Sequence, residues 1–125
     1  MYSNIPDWAD GLISNYKIEK LKHYQDWLFK EGAKKGLISN KSQEYIWEEF
    51  ILHSIGFSYL MDIKNKPKHI ADLGTGAGIP GIPISIASPE KEVFLVDTSR
   101  KRIDELKKIK VLLELNNIYP TLMSA

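Results

Sequence analysis

Cysteine is absent from this 125-residue chain. That excludes a disulfide framework and any thiolate metal site. Histidine is scarce: His23, His53 and His69 are scattered, with no carboxylate or second His at metal-ligand spacing, so no bound metal is expected. An excess of one charge is also missing. The formal net charge is +1, so no global basic field announces a nucleic-acid partner. No stretch approaches the ~18 consecutive apolar residues that a membrane span requires. The opening residues, MYSNIPDWADG, hold no basic region followed by an apolar run. No secretory signal is therefore expected, and a cytoplasmic protein is. Repeats and low-complexity tracts are lacking, and the length suits one compact unit with a modest core.

What is present falls on two sides of a polar, proline-containing joint, KNKPK, at residues 64–68. Residues 1–63 read as a helical segment. Ile18, Leu21, Tyr24 and Leu28 recur at steps of three and four, a helical stripe ended by Gly32 and Gly36. Ser42 suits the N-cap of a second helix. Its expected apolar stripe is Ile46, Trp47, Phe50, Ile51 and Phe57, with His53 beside it, partly buried, and Glu44, Glu48 and Glu49 in water. Residues 69–125 change period. A short strand is expected at 69–73, a short helix opened by Pro80 and Pro83, and a second strand at 92–97. Thr98 or Ser99 can cap a long helix that buries Ile103, Leu106, Ile109 and Leu113 and ends in a left-handed turn at Asn116–Asn117. PTLMSA opens a third strand. Strands alternating with helices predict an α/β unit with a parallel sheet and right-handed crossovers.

The stretch HIADLGTGAGIPGIPIS, 69–85, concentrates glycine and proline between apolar residues. In a parallel sheet a nucleotide-like ligand sits at the carboxyl ends of the strands. The loop after the first strand must then turn sharply and present bare backbone, which Gly74, Gly76 and Gly78 permit. Two ligand classes fit the spacing. Gly76-x-Gly78-x-x-Gly81 matches a dinucleotide fingerprint. Asp72-x-Gly74-x-Gly76-x-Gly78 matches an adenosylmethionine loop, in which Thr75 is also a candidate contact. Asp97, ending the second strand, suits ribose hydroxyls in either case. Asp72 favours adenosylmethionine, because an acid there repels a pyrophosphate and attracts a sulfonium and an ammonium. A glycine turn with no ligand is the remaining alternative.

The run DLGTGAGIPGIPISIASPEKEVFLVDTSRKRIDEL resembles the core of the small-subunit (16S) ribosomal RNA guanine-N7 methyltransferases, historically glucose-inhibited division protein B. The specific parts are Gly-Ile-Pro-Gly-Ile-Pro at 78–83, Val96-Asp97 and Lys101-Arg102, and the likeness is strong over residues 69–118. It implies a Rossmann-like class I methyltransferase core behind a helical N-terminal part. It implies S-adenosyl-L-methionine contacts at Gly74 and Ile79, with Gly76, Gly78 and Asp97 lining the same pocket. The implied substrate is a guanine of 16S ribosomal RNA in the small ribosomal subunit. Two departures stand out. The family's Asn-Leu-Thr and Arg-His-x-x-Asp motifs correspond here to Gly36-Leu37-Ile38 and to Glu49-Phe50-Ile51-Leu52-His53. The chain also reaches only about three strands where the family's sheet has seven, which reads as a shortened or degenerate member. Methylation at N7 needs no general base, so no catalytic residue is assigned.

Three crossed features remain. The basic cluster Arg100, Lys101, Arg102, Lys107, Lys108 and Lys110 is interleaved with acids and reads as a solvated helix face, with Lys101 and Arg102 the best RNA candidates because they open that helix near the loop. Trp27 and Trp47 fall on helical stripes and read as core. Finally, both crossover helices must lie on one face of the sheet, so the other face needs the N-terminal helices or a partner to cover it. Self-association through an exposed sheet edge is expected, and a non-catalytic half-Rossmann module is the alternative to an enzyme.

Overall fold

The structure is a computed structural model that describes residues 2–11 and 13–124; Met1 and Ala125, the outermost residues of the two expected segments, and Leu12 lie outside them. Helix α1, Asn15–Trp27, starts at Ser14, whose side chain accepts from the Lys17 amide, and runs on through a wider π-helical turn at Leu28–Gly32. Leu21, Tyr24 and Leu28 are fully buried, as their spacing predicts. Gly36 closes the segment at φ +71°, in the left-handed region. Ser42 caps α2, Gln43–Tyr45, by accepting from the Tyr45 amide. From there the chain continues without a break through a π-helical stretch, Ile46–Leu52, into α3, His53–Lys64.

That π-helical stretch corrects one expectation. The His53 amide reaches back five residues to the Glu48 carbonyl, so the turn holds an extra residue and the buried stripe slides by about one position. Ile46, Trp47 and Ile51 stay buried, but Ile55 and Ser58 follow them into the core. Phe57 is left 52% exposed, and His53 is exposed as well.

The second part is β1, His69–Leu73; α4, Gly81–Ala87; β2, Glu92–Asp97; α5, Arg100–Leu112; and β3, Ile118–Leu122. The three strands pair in parallel in the order β1-β2-β3, with Asp72 opposite Leu95 and Val93 opposite Ile118. Ser99 caps α5 by accepting from the Arg102 amide, and Ile103, Leu106, Ile109 and Leu113 pack inward. Burying side chains of this kind stabilises by about 1.5–3 kcal/mol each. Two details differ from the sequence reading. The left-handed residue after α5 is Glu114, at φ +53°, and not Asn116 or Asn117. Asn117 instead donates from Nδ2 to the carbonyls of Ser85 and Lys91, at 3.0 and 2.9 Å, tying the end of α4 to the start of β2 and β3. The third strand also begins earlier, at Ile118 rather than Pro120.

Successive right-handed crossovers put α4 and α5 on one face of the sheet. The N-terminal helices do not cover the other face. They pack behind α4, making a third layer: the Lys17 ammonium donates to the Ala87 carbonyl at 2.8 Å, and Lys35 pairs with Glu105 of α5 at 2.8 Å. This explains why α4 is apolar all round but for Ser85. Every residue from Gly81 to Ile86 is buried, sheet on one side and α1 and α3 on the other. The far face of the sheet keeps large apolar side chains in water. Leu73 is 71% exposed there, and Phe94 stacks on Tyr119 with ring centroids 5.0 Å apart.

The joint between the two parts is held by Lys91, which is 1% exposed. Its ammonium donates to Asp62 Oδ1 at 2.7 Å and to the Pro67 carbonyl. Asp62 itself keeps some contact with water. The two halves of this pair are therefore not equivalent. Asp62→Ala strands a buried ammonium and is expected to cost about 3 kcal/mol in urea unfolding. Lys91→Met keeps the stem and leaves a carboxylate that water can reach, so its loss should be clearly smaller.

Candidate cofactor loop

The loop from Gly74 to Pro80 joins β1 to α4 and lies over the carboxyl end of β2. The amides of Gly74 and Thr75 both donate to the Val96 carbonyl, at 2.8 and 3.0 Å, which curls the chain across the strand ends. Gly74, Gly76 and Gly78 have φ of +69°, +59° and +93°. The first two differ from the third in what surrounds them. A Cβ at Gly74 or Gly76 would meet nothing within 4 Å. Both therefore border open space beside the strand ends. A Cβ at Gly78 would instead lie 2.4 Å from Ile82 Cδ1, so this glycine lets the loop close onto α4. Gly81 plays a similar part: its Cβ would fall 2.3 Å from Leu95 Cδ2, so α4 rests on β2 with no side chain between.

Two carboxylates grip the loop from below. Asp72 is 8% exposed; its Oδ2 accepts from the Thr75 hydroxyl at 2.7 Å and from the Gly81 amide at 3.0 Å. Burial pushes its carboxyl above the usual range, and the neighbouring Asp97 charge adds to this, against the opposing pull of its two donors. Asp97 is 4% exposed. Its Oδ2 accepts from the Gly76 amide at 3.0 Å and its Oδ1 from the Ser99 amide at 2.9 Å, with Arg102 Nη1 at 3.7 Å. Burial works to raise its carboxyl too, but the Ser99 and Gly76 amides and the Arg102 guanidinium outweigh it, and the group is held below the ordinary value. Burial thus opposes ionisation of Asp72, whereas the donors around Asp97 favour it.

A third support comes from the N-terminal part. Tyr24 is fully buried, and its hydroxyl donates to the Ala77 carbonyl at 2.8 Å. Burial, helped by the Asp72 charge, holds that hydroxyl well above its usual pKa, so it stays a donor. The sequence places Tyr24 on a helical stripe; the tyrosine oxygen on an otherwise apolar stripe is the signal that it also has a polar task.

The candidate residues come together as follows. Asp72, Gly74, Thr75, Gly76, Gly78 and Asp97 form one loop and its two anchors. Ile79 is half-buried at the loop's far rim beside Pro80. Arg102 reaches the site through Asp97, whereas Lys101 is exposed on the first turn of α5. Lys107 and Lys108 face solvent, as expected of a wet helix face. Among the described residues no group of three His, Asp or Glu side chains could hold a metal ion. Among the same residues no helix is long and apolar enough to cross a membrane.

The Asp97 anchor has a pH signature. A depressed folded pKa gives stability that is complete above the unfolded value of about 3.9 and lost as pH falls through the folded one. Asp97→Asn removes this share, so the variant should be less stable near neutrality and lose less on acidification below about pH 4. Urea unfolding at several pH values reads both. Tyr24→Phe leaves the buried Ala77 carbonyl without its donor and should cost about 1–3 kcal/mol.

Comparison with known proteins agrees with this architecture. A family model described as rRNA small subunit methyltransferase G matches residues 17–123. The chain is 31% identical over 103 residues to ribosomal RNA small subunit methyltransferase G of Mycobacterium marinum, covering 82% of this chain and 44% of that protein. Its counterpart in Flavobacterium psychrophilum is 33% identical over 116 residues, 92% of this chain and 52% of that protein. That of Desulfitobacterium hafniense is 38% identical over 106 residues, 85% of this chain and 43% of that protein. The chain spans about half the length of the curated relatives it matches. With a family model matched along nearly its whole length, and with the glycine loop and parallel strands in place, the chain belongs to the rRNA small subunit methyltransferase G family.

Proposed function

We propose that this chain carries the S-adenosyl-L-methionine site of a methyltransferase acting at a guanine N7 of 16S ribosomal RNA, in the cytoplasm. The observation that carries the reading is the open cradle at Gly74 and Gly76, set between two buried acids, Asp72 and Asp97. A Cβ at either glycine would occupy the space offered to a ligand. Asp72, an acid in a costly environment, gains from a cation placed beside it, which suits a ligand bearing a sulfonium and an ammonium and not a pyrophosphate. That supports adenosylmethionine over a dinucleotide.

Gly74, Thr75, Gly76, Gly78 and Ile79 would form the backbone ledge for this ligand, and Asp97 has lone pairs beyond those given to Gly76 and Ser99 for ribose hydroxyls. Adenosylmethionine, when bound, supplies an already activated methyl group. Guanine N7 has a free lone pair and no proton, so no side chain is asked to act as a base. The chain's contribution is positioning and charge: Asp72 and Asp97 fix the loop, and Lys101 and Arg102, at the loop's rim, are the groups suited to RNA phosphate. A second reading is a non-catalytic module that self-associates. The sheet face around Leu73 and Phe94, and the outer edge of β1, favour it.

Calorimetric titration with adenosylmethionine, with NAD as control, tests the first reading. Binding of adenosylmethionine alone is expected; binding of neither by a folded chain would contradict it. Asp72→Asn sharpens the test. The amide oxygen can still accept from Thr75 and Gly81. Because the raised carboxyl costs stability when ionised, the variant should be as stable as the parent, or more so, near pH 7. It should nonetheless bind adenosylmethionine at least about tenfold more weakly, a difference of about 1.4 kcal/mol.

A further inference from the structure

Beyond Ile79 and Pro80 a surface groove runs along the continuous helix from α2 into α3. The helix lines it with Leu52, His53, Gly56, Tyr59 and Leu60, and Glu48 and Glu49 stand at its rim. Its wall is the turn of Pro6 and Trp8. The groove has a volume of about 560 Å³ and opens, past Glu49 and His53, toward Phe57 and Pro80.

The walls are aromatic and the rim is acidic. Trp8 is 46% exposed, and its indole edge lies over Gly56, whose Cβ would stand 3.7 Å from the ring. Trp8 and Tyr59 both line the groove and both stay exposed. Glu48 and Glu49 are both exposed at the rim, and Tyr2 donates its hydroxyl to Glu48 at 2.7 Å. No lysine or arginine lines the groove. The two segments that build it are acidic as well: residues 2–11 and the continuous helix Gln43–Lys64 carry Asp7, Asp10, Glu44, Glu48, Glu49 and Asp62 against one cation, Lys64. The chain as a whole is +1, so this face is set apart from a basic remainder.

Aromatic rings beside exposed carboxylates attract a cation with an apolar stem. Its charge meets the acids, and its methylenes and π-stacking plane lie on the rings. The same acids repel phosphate, so this is not the RNA rim. We infer that the groove formed by Trp8, Gly56, Tyr59, Glu48 and Glu49 is a docking site for a basic polypeptide segment, with an arginine side chain laid on Trp8 and its guanidinium at the two glutamates. The assignment does not depend on the cofactor reading, since none of these residues touches the glycine loop's anchors.

The probe is hexa-arginine, followed by the fluorescence of Trp8, with Trp8→Phe identifying that signal. Saturable binding is expected, weakened at least about tenfold in Glu48→Gln/Glu49→Gln. Glu19→Gln/Glu90→Gln, which changes net charge equally at exposed sites away from the groove, should bind as the parent does. Hexauridylate should not compete. Equal weakening in the two double variants would mean non-specific attraction and overturn the proposal. So would competition by hexauridylate, which would make the groove an RNA surface. A concentration-dependent dimer in sedimentation, with the groove thereby closed to hexa-arginine, would assign it to a second copy and overturn the proposal as well. Circular dichroism of each variant checks that the helices persist.

Discussion

Two carboxylates at the ends of neighbouring parallel strands hold the glycine loop between β1 and α4 in place. Asp72 takes the Thr75 hydroxyl and the Gly81 amide, so it fixes both the start of the loop and the start of α4. Asp97 takes the Gly76 amide at the tip and the Ser99 amide at the start of α5. Buried amides must find acceptors, and a glycine-rich turn at positive φ has few of its own. The strand ends supply them. The loop is thus shaped by the sheet, and the bare backbone at Gly74 and Gly76 is left facing outward.

The layering follows from the same region. With Gly81 giving α4 direct contact with Leu95, the helix lies close to the sheet and exposes its back to α1 and α3. Its sequence, apolar but for Ser85, is buried on both sides as a result. Tyr24 then spans the layers, reaching from α1 to the Ala77 carbonyl. The helical part is therefore more than a cover for the core; it braces the loop from behind. The far face of the sheet receives no such layer, and its apolar residues, Leu73 and Phe94, remain at the surface.

Much of this was legible in the residues. Strands at 69–73 and 92–97, the caps at Ser42 and Ser99, and the buried stripe of α5 follow from periodicity and short-range hydrogen bonding, which are local. What escaped was non-local or geometric. The π-helical stretch at Ile46–Leu52 leaves no mark in spacing, yet it moves Phe57 out and Ile55 in. Asn117 looks like a turn residue, but its amide finds carbonyls on α4 and before β2, partners far along the chain. Gly76 and Gly78 are alike in sequence; only the position of Ile82 shows that one borders open space and the other a neighbour. Asp97 was placed at the site by its position at a strand end, but its grip on the Gly76 amide depends on how the loop folds back.

The central claim is that the protein's own carboxylates set the shape of the loop. Amide hydrogen exchange at Gly76 in the ligand-free protein, followed by NMR in the parent and in Asp97→Asn, tests it most directly. The account predicts a protected Gly76 amide in the parent and marked loss of protection in the variant, with the sheet amides of β2 unchanged. A Gly76 amide that exchanges freely in both would contradict it, since the loop would then take its shape only from what binds there.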